Sequence, residues 1–187
     1  MLEPILARRL ILPALGIPAL ETLLRGDRGA AGVMLDCHIP ADLALTDMPL
    51  ERRLKQLRED ASEEPWLARA MIERSSRTMI GYIGFHTPPR PAYLAEIAPD
   101  GVELGYTVHA AHRRQGYARE AAFALMHWAY AEHDQKCFVL SISPVNVAST
   151  AMAMSLGFVP CGQHMDEEDG LEIIFDRRFK TWPAEWT

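Results

Sequence analysis

The stretch Val108–Ala118, VHAAHRRQGYA, decides how this chain is read. Apolar alternation before it marks a strand, and apolar residues at spacings of three and four after it mark a helix. The stretch is therefore a strand-to-helix junction. The first N–H groups of a helix lack intrahelical acceptors and carry a partial positive charge, so a helix start is a ready anion site. Gly116 lets the backbone approach a ligand with no side chain in the way. Arg113 and Arg114 add positive charge beside it. The chemistry implied is a pyrophosphate held mainly by backbone amides.

Working outward, Pro99-Asp100-Gly101 is a turn signal and Val102–His109 a strand. By the period of two, Val102, Leu104, Tyr106 and Val108 point one way, and Glu103, Gly105, Thr107 and His109 the other. Glu103 thus shares a face with small and polar neighbours. Gly116–Glu132 reads as a long helix with Ala118, Ala122, Leu125 and Ala129 on one side. Cys137–Ile142 is a short apolar strand. Asn146 caps a second helix that reaches Leu156 and stops at Gly157. Phe158–Gly162 and Leu171–Phe175 are the last strands, and the acidic run Asp166–Asp169 is their connecting turn.

Upstream, Arg8–Leu12 is a strand and Pro18–Arg25 a short helix. Residues 29–48 show no clear period. Pro49–Asp60 is a helix with Leu50, Leu54 and Leu57 on one side and its charges on a solvated face. Trp66–Glu73 and Thr78–His86 are strands joined by the turn 74–77. Gly81 and Gly84 imply a bulge or a close backbone approach, and the proline-rich Thr87–Pro99 is a surface loop. Trp66, Tyr82, Phe85, Phe158 and Phe175 are assigned to the core. Trp182 and Trp186 follow the last strand, where they cover an edge or support dimerisation. Strands at both ends with helices between give an α/β or α+β class with a mixed sheet.

A chain of 187 residues fits one domain over 1–187, with a core over 8–179 and a tail over 180–187. The net charge of -6 disfavours a nucleic-acid partner and mildly favours cationic substrates. Cys37, Cys137 and Cys161 have no C-x-x-C spacing and read as reduced thiols in the cytoplasm. Pro13 and Pro18 interrupt the apolar run after Arg8-Arg9, and no cleavage site follows, so no signal peptide is expected. No run approaches the ~20 apolar residues that span a bilayer, so no membrane association is expected. His109 and His112 have H-x-x-H spacing without further ligands, so no metal is expected. Walker, dinucleotide and nucleophile-elbow motifs are absent.

Arg113–Ala118, RRQGYA, resembles the Q/R-x-x-G-x-G/A acetyl-CoA loop of the GNAT superfamily of N-acetyltransferases. Glu103–Tyr106, ELGY, resembles the strand before that loop in the branch of ribosomal-protein N-terminal (alanine) acetyltransferases. Pro144–Ser149, PVNVAS, and Leu156–Phe158, LGF, resemble that branch's P-x-N-x-x-S and L-G-F signatures. Arg9–Leu12 resembles its opening E-R-L-x-L-R strand. The pieces occur in order, and the resemblance covers Arg8–Phe179. It implies a mixed, mostly antiparallel central sheet flanked by helices, with acetyl-CoA in a cleft between splayed strands.

The resemblance implies direct acetyl transfer from acetyl-CoA to a primary amine: a protein N-terminus, or a small amine such as an aminoglycoside or polyamine. The coenzyme-binding set it implies is Val108, Arg113, Arg114, Gln115, Gly116, Tyr117, Ala118 and Asn146. Gly116–Ala118 would wrap the pyrophosphate. Arg113 and Arg114 would pair with phosphates, or stand solvated on a loop. Asn146 would hydrogen-bond the pantetheine arm, cap its helix, or both. A backbone N–H near Val108 would hold the acetyl oxygen, an oxyanion role worth ~3 kcal/mol. Glu103, its pKa raised by burial, would take the amine proton through water; without the resemblance it reads as a sheet glutamate in a surface pair.

Many relatives carry a tyrosine acid before L-G-F, where this chain has Ala153. Ser149 then becomes the candidate acid, with a helix-start serine and proton donation from solvent as the plainer readings. That departure keeps open a second class, a catalytically silent acyl-CoA-binding sensor. The segment before Pro49 and the loop Thr87–Pro99 are expected to face the acceptor. The oligomeric state is left as monomer or homodimer.

Overall fold

The computed structural model describes residues 2–166 and 170–183. The chain divides into two compact units. One holds the residues up to Phe85 together with Gly105–Ala124; the other holds His86–Leu104 and the residues from Leu125 onward.

In the first unit, β1 (Ile5–Leu6), β2 (Leu10–Leu12), β3 (Ala68–Glu73) and β4 (Thr78–Phe85) each pair antiparallel with the next. Helices α1 (Ile17–Leu24), α2 (Arg28–Leu35) and α3 (Leu50–Glu59) complete a core that includes Leu20, Leu23, Leu54, Leu57, Ile72 and Tyr82. The leucine spacing of α3 is buried as expected, but its charges are not all solvated. Arg53 shares the leucine face and is 1 % exposed. Its Nε donates to Tyr82 Oη at 3.0 Å and its Nη1 to Gln56 Oε1 at 2.7 Å, the kind of pairing a buried guanidinium requires.

The two glycines of β4 do what their positions imply. A Cβ at Gly81 would lie 2.2 Å from the Thr107 carbonyl oxygen, and one at Gly84 would lie 2.1 Å from that of Leu67. The β3–β4 register also shifts between Met71 and Ile72, opposite Gly81 and Met79. Residues 29–48, which show no period, contain α2 and a 3₁₀ turn at Leu45–Asp47. Asp27 caps α2 by accepting from the Ala30 N–H at 2.9 Å. The helix buries Ala31, Gly32 and Leu35, two of which are too small to leave an apolar signal. Trp66 is only half-buried and precedes β3, a correction to its placement in a core strand.

Strand β5 (Gly101–Val108) and helix α4 (Tyr117–His133) each contribute to both units. In the second unit, Gly101–Glu103 of β5 pairs parallel with Cys137–Val139 of β6 (Cys137–Ile142). Strand β8 (Gly170–Arg178) runs antiparallel to β6 and to β7 (Val159–Asp166). The strand pairing is thus mixed and mostly antiparallel, as expected. Helix α5 (Val147–Ser155) ends at Gly157, which has φ of +76°. The core of this unit includes Leu94, Ala98, Val139 and Ile174.

Here too there are differences from the sequence reading. Phe158 precedes β7, and Asp166 closes β7 instead of opening a turn; the rest of the acidic run lies outside the described residues. The loop Thr87–Pro99 contains a 3₁₀ turn at Ala92–Leu94 with Leu94 only 2 % exposed. Trp182 packs beside Phe179 and Tyr130, with ring centroids 4.8 and 5.3 Å away, while Trp186 lies outside the described residues. All three cysteines are free thiols, and burial pushes Cys137 up to about 12 and Cys37 up to about 11. Among the described residues, no helix is long and apolar enough to cross a membrane.

Candidate active site

The strand-to-helix junction is built in four steps. Strand β5 ends at Val108, a 3₁₀ turn covers Ala110–His112, Arg113 is extended, and α4 starts at Tyr117. Arg114 and Gly116 both take left-handed backbone angles, with φ of +60° and +81°. Left-handed residues in tight turns are a common means of pointing neighbouring N–H groups toward an anion. At Gly116 the angle, not space, demands glycine: a Cβ there would meet nothing closer than Arg9 Nη2 at 3.5 Å. Arg113, Arg114, Gln115 and Gly116 are all exposed, and Ala118 is half-buried.

The individual side chains refine the expectations. Arg113 Nε donates to the Val108 carbonyl at 2.8 Å, so this arginine braces the end of β5. Arg114 is equally exposed and takes the left-handed conformation. Gln115 Nε2 donates to the Ala111 carbonyl at 3.2 Å. Tyr117 is 5 % exposed and donates its hydroxyl to Glu73. That bond raises the Tyr117 pKa, and with Ser76 it lowers that of Glu73. Tyr117 is thus a structural member of the loop.

Sequence reasoning missed Arg9. Its backbone N–H and Nε donate to the two oxygens of Glu120 at 2.5 and 2.7 Å, and its Nη1 donates to the Gln115 carbonyl at 3.0 Å. Its guanidinium also lies 4.2 Å over the Tyr117 ring. No local pattern could reveal a partner 106 residues away.

In the second unit, Glu103 is 5 % exposed on β5 and its Oε2 lies 3.3 Å from His86 Nδ1. This is a buried carboxylate with a histidine partner, not a surface pair. The expected raised pKa is corrected. Burial pushes the carboxyl up, but bonds from His86, Ser141 and Tyr93 and the charge of His86 outweigh it and hold Glu103 down at about 2. Sequence reading missed His86 because it ends an apolar strand pattern; its own N–H donates to the Glu103 carbonyl at 2.8 Å.

Asn146 caps α5, its Oδ1 accepting from the Ser149 N–H at 3.1 Å. Ser149 lies half-buried in the first turn of that helix, and Ala153 is fully buried.

The segment before Pro49 docks on the end of β5 through two contacts. Thr107 Oγ1 donates to the Asp47 carbonyl at 3.1 Å, and His109 Nε2 lies 3.4 Å from Asp42 Oδ2. His109 and His112 stand side by side, ring centroids 5.6 Å apart. Among the described residues, the ligand atoms close enough to share an ion are instead those of His164, Asp166 and Glu172, within 4.8 Å of one another on the β7–β8 hairpin.

Comparison with known proteins bears on the family and the fold. Residues 9–159 match the family model described as an acetyltransferase (GNAT) domain. Among solved structures, the ribosomal-protein-S5-alanine acetyltransferase of Vibrio fischeri is 14% identical with a TM-score of 0.64, over 96% of this chain and 98% of that one. A ribosomal L7/L12 α-N-protein acetyltransferase (RimL) in complex with coenzyme A is 18% identical with a TM-score of 0.62, over 95% and 98%. An acetyltransferase of Agrobacterium tumefaciens is 22% identical with a TM-score of 0.61, over 96% of each. Among curated proteins no sequence matches.

Proposed function

The chain belongs to the GNAT acetyltransferase family, and on that premise we propose that it moves the acetyl group of acetyl-CoA directly to a primary amine. The observation that carries the proposal is the junction at the head of α4, exposed and with Arg114 and Gly116 both left-handed. An anion-binding turn is what the coenzyme's pyrophosphate needs. In this reading Gly116, Tyr117 and Ala118 supply backbone N–H groups, Gln115 shapes the turn, and Arg114 faces the phosphates. Arg113 acts mainly by holding the Val108 carbonyl, which fixes the strand whose N–H meets the acetyl oxygen. Asn146 uses Oδ1 as a helix cap, and its amide N–H groups serve the pantetheine arm.

In the reaction the amine nitrogen bonds to the acetyl carbon, the carbon–sulfur bond breaks, and coenzyme A leaves as a thiolate. The amine must lose a proton. A carboxyl held at about 2 is a weak base alone. Glu103 therefore acts as a fixed anion that orients His86, and the His86–Glu103 pair takes the proton. Ser149 or solvent protonates the thiolate. The acceptor class is a primary amine on a protein N-terminus or a small molecule. Relatives of both kinds support it: RimL is named for an α-N-protein substrate, and a fold neighbour is a spermidine N-acetyltransferase chimera.

The test is thiol release from acetyl-CoA with a panel of N-terminal peptides, aminoglycosides and polyamines. Release that depends on one amine class, with matching acetylated product by mass spectrometry, is expected. Coenzyme binding without release on any amine would turn the reading toward a binding module.

A further inference from the structure

The first unit carries a strap between its N-terminal segment and the loop at the head of α4. Arg9 lies just before β2, and its carbonyl is fixed by the Arg74 N–H at 2.8 Å. Its N–H and Nε grip both oxygens of Glu120, a residue in the first turn of α4. From that anchored position Nη1 reaches the Gln115 carbonyl. The guanidinium face covers the Tyr117 ring, and Tyr117 is in turn tied to Glu73. Apart from its carbonyl, every polar edge of Arg9 used here points at the loop or at the helix it opens.

Two physical consequences follow. The peptide joining Gln115 to Gly116 is planar and trans, so its C=O and N–H point in opposite directions. Holding the carbonyl on the Arg9 side turns the Gly116 N–H to the other side. Glycine tolerates either sign of φ, so without that hold this peptide can rotate about Gly116, and a flipped carbonyl would present a partial negative charge to an anion. Second, Glu120 would by itself set a carboxylate in the helix turn that must hold a pyrophosphate. The close pairing with Arg9 neutralises it.

We propose that Arg9 is a positioning residue for the coenzyme: it holds the Gln115 carbonyl outward, aims the Gly116 N–H at the pyrophosphate and cancels the charge of Glu120. This rests on the reading of the loop as the acetyl-CoA site.

The test is titration calorimetry of coenzyme A against the wild type, Arg9→Ala and Arg9→Lys, with the Gly116 amide followed by NMR. Lysine can keep the ion pair with Glu120 but cannot also bracket the carbonyl. Both variants are expected to bind coenzyme A at least tenfold more weakly. The wild type should show a coenzyme-induced displacement of the Gly116 amide signal, and that displacement should shrink in both. A purely structural arginine would lower thermal stability while leaving that signal and the dissociation constant of the folded fraction unchanged. Wild-type affinity in a folded Arg9→Lys protein overturns the inference, and this variant serves if Arg9→Ala does not fold. Failure of the wild type itself to bind coenzyme A overturns the loop reading instead.

Discussion

Glu103 shows how much a residue's role depends on neighbours that the local sequence does not name. Its strand face was legible from the alternation over Val102–His109, but its burial, at 5 % exposed, was expected only through the family resemblance. The direction of its pKa was not legible, because the groups that set it arrive from elsewhere: His86 from the end of β4, Tyr93 from a loop and Ser141 from β6. Two predictions belong at this scale. If His86 and Glu103 act as one unit, His86→Ala and Glu103→Gln each lower kcat by about 10²-fold or more, the usual range for a positioned acid–base group. The double variant should then be little worse than either alone, since members of one unit are non-additive. Additive losses in single-turnover kinetics would separate them. The second prediction concerns stability. The Glu103 carboxyl is depressed from 4.5 to about 2 in the fold. A depressed carboxyl stabilises the folded state above its unfolded pKa and loses that contribution as pH falls through the folded one. Glu103→Gln should therefore cost stability in urea titrations at pH 6, and the difference from wild type should narrow between pH 4.5 and 2.

At the scale of elements, the strongly periodic segments and their punctuation were readable, and the small-residue segments were not. Helix α3 was legible from Leu50, Leu54 and Leu57, β6 from its apolar run, and α5 from Asn146 before it and Gly157 after it. Helix α2 was not, because the face it buries is made of Ala31, Gly32 and Leu35. Arg53 was misread for the opposite reason: a charge on an apolar face is invisible to a period that counts only apolar residues, and its partner Tyr82 comes from β4. The glycines of β4 were readable as a class, and Gly81 yields a test. Its hypothetical Cβ falls 2.2 Å from a main-chain oxygen of β5, with Val108 Cα at 3.2 Å. Neither atom can yield without moving the strand that ends at the proposed coenzyme loop. Gly81→Ala is expected to destabilise by about 1–3 kcal/mol, the range for overpacking, and to weaken coenzyme A binding beyond what the lost folded fraction explains. Alanine at Gly26, where nothing lies within 4 Å but φ is +75°, is the control. It should lower the unfolding midpoint through backbone strain alone and leave the affinity of the folded protein intact.

At the scale of the whole molecule, the signatures mattered through their order along the chain more than through any one of them. Arg9–Leu12, Glu103–Tyr106, Arg113–Ala118 and Pro144–Ser149 carry the resemblance, and the family match over residues 9–159 spans all four. What order cannot convey is the acceptor. The segment before Pro49 docks on β5 through Asp42 and Asp47, contacts that no pattern in residues 29–48 announces. A prediction at this scale needs no acceptor. A ligand present at one hundred times its dissociation constant stabilises the folded state by ~2.7 kcal/mol. For a chain of this length that is a rise of roughly 5–10 °C in the unfolding midpoint. Acetyl-CoA and coenzyme A share the pyrophosphate and pantetheine arm that the loop and Asn146 are proposed to hold, so both should produce the rise. ATP offers phosphates and adenine without the arm, and the chain has no Walker loop to take its triphosphate, so ATP should produce little. Equal stabilisation by ATP would mean that the junction is a general polyphosphate cradle and that the arm contributes nothing. No shift with either coenzyme species at millimolar concentration would return Gly116 to the status of an ordinary turn glycine.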